Sequence, residues 1–127
     1  MPQAAKVFKA LADENRLRIV NILSHGELCV WDLQSVMGLS QPFISRHLAY
    51  LRRAELVKHR REGARVYYSL AHDDALGHAL RALLHAAVQD SRTLQSDLRM
   101  LHELASAGRL KSGMAVAEVE PFDSRAA

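Results

Sequence analysis

The sequence predicts a mainly α fold carrying one small β-hairpin, and three observations predict it. Apolar residues recur at helical spacing through most of the chain. Between residues 58 and 70 that spacing gives way to a period of 2. A turn-and-cap signal, Gly38-Leu39-Ser40, separates two short helical patterns. At 127 residues, with 49% apolar side chains, the chain has room for one domain with a modest core.

Val7, Phe8, Leu11 and Ala12 predict a short first helix over 6–12. Asp13 is an N-cap residue for a second helix, in which Leu17, Ile19, Val20, Ile22 and Leu23 alternate with Arg16, Arg18 and Asn21. His25-Gly26 ends it, since glycine accepts the left-handed conformation common at helix stops. Val30–Met37 is a third helix, closed by Gly38. Ser40 then caps a fourth, which opens on Gln41-Pro42; proline is tolerated in a first turn, where amide donors have no intrahelical partner. This helix runs to about Ala54, and Ile44, Leu48 and Leu51 form its buried stripe. Gln41, Pro42, Ser45, Arg46, Ala49, Tyr50 and Arg53 fall largely on the other side, a polar and basic face without a carboxylate.

Strands over 58–61 and Arg65–Leu70 follow, joined across Glu62-Gly63-Ala64, where Gly63 supplies the positive φ a tight turn needs. An isolated hairpin is marginal, so this one must lean on the helices. The stretch His72-Asp73-Asp74 offers the next N-cap. Leu76, Leu80, Leu83, Ala87, Leu94, Leu98, Leu101 and Ala105 continue a helical repeat, with a stutter near Ala87–Ser91. Unbroken over 75–106, that helix would be about 48 Å long, at about 1.5 Å per residue. A domain this small cannot cover it. Either a second subunit does, which is the preferred reading, or the helix breaks at Asp90-Ser91, where a new cap is available. Residues 1–107 are read as one domain that also carries the dimer contact, and 108–127 as a mobile tail.

The net charge is +3, but its distribution is uneven. Seven Lys and Arg against two Glu lie between Gln41 and Tyr68, which puts +5 in that window and −2 in the remainder. Such a concentration is the footprint of a nucleic-acid partner. Charges interrupt every apolar run before the length of about 18 residues that a membrane span needs. The first residues lack a signal-peptide apolar region, which makes the cytoplasm the expected location. Cys29 is the single cysteine, expected to be a small buried hydrophobe.

Two helices joined by a tight turn and followed by a basic hairpin make a winged helix-turn-helix. Its second helix enters the DNA major groove N-terminal end first. Gln41, Ser45, Arg46 and His47 are then placed to read base edges, with Pro42 in the same leading turn. Glutamine suits adenine, and arginine suits guanine. Ser40, Tyr50, Arg52 and Arg53 are candidates for phosphate contacts, which fix register. Arg60, Arg61 and Arg65 on the hairpin are candidates for a neighbouring phosphate strand or the minor groove. The spacing of His47 to Ile44 and Leu51 leaves it open between helix packing and DNA contact.

The stretches Leu11-Ala12-Asp13-Glu14-Asn15-Arg16-Leu17-Arg18-Ile19-Val20, Gly26-Glu27-Leu28-Cys29-Val30, Leu39-Ser40-Gln41-Pro42 through Leu48, and Arg60-Arg61-Glu62-Gly63 through Tyr68 together resemble the ArsR/SmtB-type repressors. They cover about residues 5–90 in order. The resemblance implies a homodimer of four helices, two strands and a fifth helix, with the first and last helices at the dimer interface. It further implies a two-fold operator that is released when an inducer binds.

Many arsenic-sensing members of that family carry Cys-Val-Cys at the start of the third helix. This chain has Cys29 but Trp31 in the second position, and an indole cannot replace a thiolate. Trp31 is expected instead to pack against the first helix or its neighbour. The other common family site lacks its first histidine at Asp90-Ser91-Arg92 and its second spacing at His102-Glu103. His78 and His85, seven apart on one helix, are the remaining candidate metal ligands, to be completed across a dimer. No cofactor is assigned, and a metal or metalloid inducer stays open. The same fold responding to thiol oxidation at Cys29 or to a small organic ligand is the alternative, with a protein-interaction module as a third class. Neither paired carboxylates, an activated nucleophile nor a phosphate loop is present to suggest an enzyme.

Overall fold

The computed structural model describes residues 4–114. Its elements are α1 (Ala4–Leu11), α2 (Glu14–Leu23), β1 (Leu28–Cys29), α3 (Val30–Met37), α4 (Gln41–Arg53), β2 (Val57–Glu62), β3 (Arg65–Leu70), α5 (Ala75–Gln89) and α6 (Arg92–Ser106). The mainly helical winged arrangement agrees with the sequence reading. The order carries one more strand and one more helix than expected.

Asp13 caps α2: its Oδ1 accepts the N–H of Asn15 at 2.9 Å and of Arg16 at 3.0 Å. The Arg16 N–H, ahead of the other contributions, holds this carboxyl below the usual carboxylate range. A depressed carboxyl stabilises the fold above its unfolded pKa, and the contribution fades as the pH falls through the folded value. Asp13→Ala should therefore cost about 1 kcal/mol at neutral pH. That difference should shrink below the unfolded value of about pH 4. Urea melts of both proteins at pH 7 and pH 3 check this; an equal gap at the two pH values would refute it.

Gly38 takes the left-handed conformation (φ 68°) and donates its N–H to Gln34 O at 2.8 Å, which stops α3. Three residues on, α4 begins. Its Ile44, Leu48 and Leu51 are fully buried, together with Ile19, Ile22 and Leu33 from α2 and α3. At its end Glu55 adopts φ 62°, and the Leu56 N–H reaches back to Leu51 O at 3.0 Å. This left-handed residue turns the chain directly into β2.

The sheet is antiparallel, in the order β1-β3-β2. Val57 pairs with Leu70 and Glu62 with Arg65, so the hairpin closes across Gly63 (φ 62°) as expected. Leu28 pairs with Tyr68 and Cys29 with Tyr67, which fastens the wing to the start of α3. Sequence pattern alone missed β1, because two residues are too few to show a period.

The continuous last helix is not formed. Asp90 leaves helical geometry, and the Ser91 Oγ accepts the Leu94 N–H at 3.1 Å to start α6. Gln95 Nε2 donates to Val88 O at 2.9 Å and Gln89 O at 3.3 Å, satisfying carbonyls that α5 leaves without intrahelical partners. The break lets α6 turn back on α2 and α3 and bury Leu94, Leu98, Leu101 and Leu104. On α5 the buried stripe is Leu80, Leu84 and Val88, and Leu83 stands 51% exposed.

The start of the expected tail is also folded. Leu110 and Met114 are buried, and the Lys111 and Ser112 N–H groups donate to Asp32 at 2.6 and 3.0 Å. Residues 115–127, the rest of that stretch, lie outside the described residues.

Candidate nucleic-acid interface

Ser40 accepts the Phe43 N–H at 3.4 Å, and Pro42 stands in the first turn of α4. With the apolar stripe buried, Gln41, Pro42 and Arg46 are exposed and Ser45 is half-buried on the opposite side. Gln41 Nε2 donates to Ser45 Oγ at 2.8 Å, so two of the four side chains expected to meet base edges are already linked. The Arg46 guanidinium lies 5.7 Å from the Phe43 ring centre.

His47 is half-buried, and its ring meets Phe43 edge-on at 4.7 Å. Burial, ahead of the other contributions, pushes its imidazole below the ordinary value. A neutral, packed imidazole supports the helix more than it presents charge to DNA. Tyr50 is also half-buried, with the Arg16 guanidinium 4.0 Å from its ring centre and that of Arg53 5.9 Å away. Arg16 in turn donates from Nε to Ala10 O at 2.8 Å, so the α1–α2 corner and α4 are tied through one side chain.

The wing arginines separate. Arg60 reaches Glu27 at 2.6 Å and Glu62 at 2.6 Å, with the Tyr67 ring 4.6 Å away. The Glu27 contact, then Glu62, raises its pKa further above the ordinary value. A cation already paired twice is a weak phosphate ligand. Arg65 is exposed and donates to Lys111 O at 2.9 Å. Arg61 is exposed near the hairpin tip, one residue out of phase with Arg60 and so on the other face of the strand.

Two cationic grooves flank the end of α4. One is lined by Ala49, Arg52, Arg53, Val57, Lys58 and His59; the other by Lys6, Lys9, Tyr50, Arg53 and Ala54. Lys58, His59, Lys6 and Lys9 were not among the expected contacts. Lysines three apart on the first helix were the available signal, but only the fold shows that they face Arg53.

The candidate metal ligands do not come together. Cys29 is buried, and its thiol donates to Asp32 Oδ2 at 3.3 Å. Burial, first among the causes, raises its pKa, so it is a thiol at neutral pH. Trp31 is 57% exposed, with the Lys111 ammonium 5.6 Å from its ring, rather than packed on the first helix or its neighbour as expected. His78 and His85 are exposed on α5. Among the described residues no group of three or more His, Cys, Asp or Glu is placed to hold a metal. One buried thiol beside an indole does not fit a multi-thiolate site within one chain.

Residues 13–59, from the cap of α2 into β2, match the family described as bacterial regulatory protein, arsR family. The transcriptional repressor SmtB homolog of Synechocystis sp. is 51% identical over 69 residues, which are 54% of this chain. That match spans about half (52%) of the relative's length. The cadmium resistance transcriptional regulatory protein CadC homolog of Staphylococcus aureus is 43% identical over 82 residues, 64% of this chain and 68% of the relative. The chain belongs to the ArsR family. Among solved structures, this ArsR-family chain is similar to a homodimeric winged helix-turn-helix DNA-binding domain from Mycobacterium bovis. The likeness has a TM-score of 0.57 and 32% identity, covering 69% of this chain and 83% of that one. The family match includes α3, the turn and all of α4, the elements that carry the exposed polar face.

Proposed function

We propose that this chain is a DNA-binding transcriptional repressor that occupies a two-fold operator as a homodimer and leaves it when an inducer binds. The carrying observation is the solvent face of α4, capped at Ser40, with Gln41, Ser45 and Arg46 leading and cationic grooves on both sides of its end. Leading polar side chains suit base edges, and the flanking cations suit phosphates. Dimerisation is supported by the homodimeric Mycobacterium relative. Exposed Phe8, Leu83 and Met100, on α1, α5 and α6, are apolar side chains that a partner subunit would cover. Among the described residues no helix is long and apolar enough to cross a membrane. As a regulator rather than an enzyme, the protein would work beside its DNA in the cytoplasm.

Fluorescence anisotropy on its own promoter fragment tests the reading. Affinity should fall steeply and log-linearly with salt, as counterions leave each neutralised phosphate. Absent or salt-insensitive binding would refute it. Arg46→Ala should cost about 1–3 kcal/mol and relax base preference at one position. Arg61→Ala should weaken all sequences alike and lower the salt slope by about 1. Identical profiles for the two variants would contradict these roles. Adding arsenite, antimonite, cadmium or zinc to complexes of the parent and of Cys29→Ser locates the inducer. A response lost in Cys29→Ser assigns it to that thiol, and a response kept assigns it elsewhere.

A further inference from the structure

A second site lies away from α4. A groove of about 350 Å³ opens between the start of α3, the wing turn and the folded C-terminal stretch, lined by Cys29, Val30, Trp31, Arg65, Val66 and Lys111, with Ala64 at the turn. That volume falls within the range of about 300–1,000 Å³ usual for small-molecule sites.

Its chemistry is specific. Trp31 is 57% exposed, with the Lys111 ammonium 5.6 Å from its ring centre, so indole and cation stand together at the groove. Val30 and Val66 add apolar wall. Lys111 and Arg65 supply two cations, linked by the bond from Arg65 Nη1 to Lys111 O. The nearby carboxylates are committed. Asp32 is fully buried and accepts the Lys111 and Ser112 amides and Cys29, while Glu62 is paired with Arg60. The free polarity of the groove is therefore positive, beside an aromatic plate.

We propose that this groove binds a small aromatic carboxylate, its ring against Trp31 and its carboxylate between Lys111 and Arg65. A planar anion satisfies both features at once: the ring stacks on indole and the carboxylate takes charge-assisted hydrogen bonds. The occupant would join three elements, because Arg65 begins β3, Trp31 stands in the first turn of α3, and Lys111 is fixed by Asp32. Ligand occupancy thus adds a tie between the C-terminal stretch and the unit that the wing and the helix bracing α4 already form. That consequence rests on the DNA-binding reading; the site itself does not.

Trp31 is the single tryptophan, so its emission reports the groove directly. The full chain is titrated with 4-nitrobenzoate and with the neutral 4-nitrobenzamide, correcting for absorbance. Saturable quenching by the carboxylate, at least about tenfold tighter than by the amide, is expected from loss of the charged contacts. Lys111→Met and Arg65→Met should each weaken the carboxylate by about tenfold and leave the amide unchanged. Arg92→Met, on α6, should change neither. Equal affinity for the two probes, or unaltered binding in both groove variants with normal melting curves, overturns the proposal. Repeating the titration by promoter anisotropy separates the two readings. Quenching without any DNA binding would refute the repressor and leave the site standing; DNA binding without saturable quenching would do the reverse.

Discussion

Replacing Asp97 with alanine should lower stability by about 3 kcal/mol, near the lower end of what breaking a buried ion pair costs. Asp97 is 3% exposed on α6, and both its oxygens receive the Arg18 fork from α2: Nε to Oδ2 and Nη2 to Oδ1, each at 2.9 Å. The hydrogen bonds to Asp97 are the first cause of the raised Arg18 pKa. Without the carboxylate, the guanidinium keeps its 3.2 Å contact to Asn15 and a narrow path to water, which holds the loss to the lower figure. A melting point lower by about 10 °C, at fixed protomer concentration, is the expected readout. Arg18→Met combined with Asp97→Leu should recover much of it, since apolar replacement of a buried pair is often neutral. A loss below 1 kcal/mol, or a double variant as weak as the single, would show that the pair does not hold α6 to α2.

Asp32→Ala should cost about 2–4 kcal/mol, because hydrogen bonds to a charged group contribute about 1.5–3 kcal/mol each and some of the released donors reach water. Asp32 is fully buried in the first turn of α3 and is shared between two parts of the chain. It accepts the backbone N–H and S–H of Cys29 at 3.4 and 3.3 Å, and the Lys111 and Ser112 amides at shorter range. Deletion should free residues 109–114 from α3 before it unfolds the domain. Hydrogen exchange at Lys111 and Ser112 should therefore accelerate far more than at Leu48 or Leu101. Asp32→Asn, which keeps one acceptor oxygen, should lose about half as much. Uniform acceleration across the core would mean that Asp32 stabilises α3 alone.

The helix-turn-helix was legible because its signals are local and agree. A cap at Ser40, a proline behind it, a left-handed stop at Gly38 and an i, i+4, i+7 stripe all specify α4 within some sixteen residues. The hairpin was legible for the same reason, through its period and Gly63. What failed to show depends on contacts between distant residues. Arg60 looked free because Glu27 lies 33 positions away. Leu110 and Met114 looked like tail because their anchor, Asp32, is about 80 positions back. The Asp90-Ser91 break was visible as an alternative, yet the apolar repeat running through it favoured continuity. The fold decides otherwise, since a bent pair lets α6 cover α2 and α3 without waiting for a partner. Trp31 misled in the opposite sense: a large aromatic suggests burial, and this one stands outside.

The two residues of β1 have a consequence for distance. By pairing with β3 they weld the wing to the helix that braces α4, so on the proposed reading one protomer would meet DNA as a single stiff body. In a dimer of such bodies, the separation and relative rotation of the two reading heads are set only where the subunits join. One inserted base pair between half-sites turns one of them by about 35° about the duplex axis, given about 10–10.5 base pairs per turn. A hinged wing would follow that rotation. This one would have to strain the subunit seam or let go, and operator spacing, as much as operator sequence, would then be part of what the proposed repressor recognises.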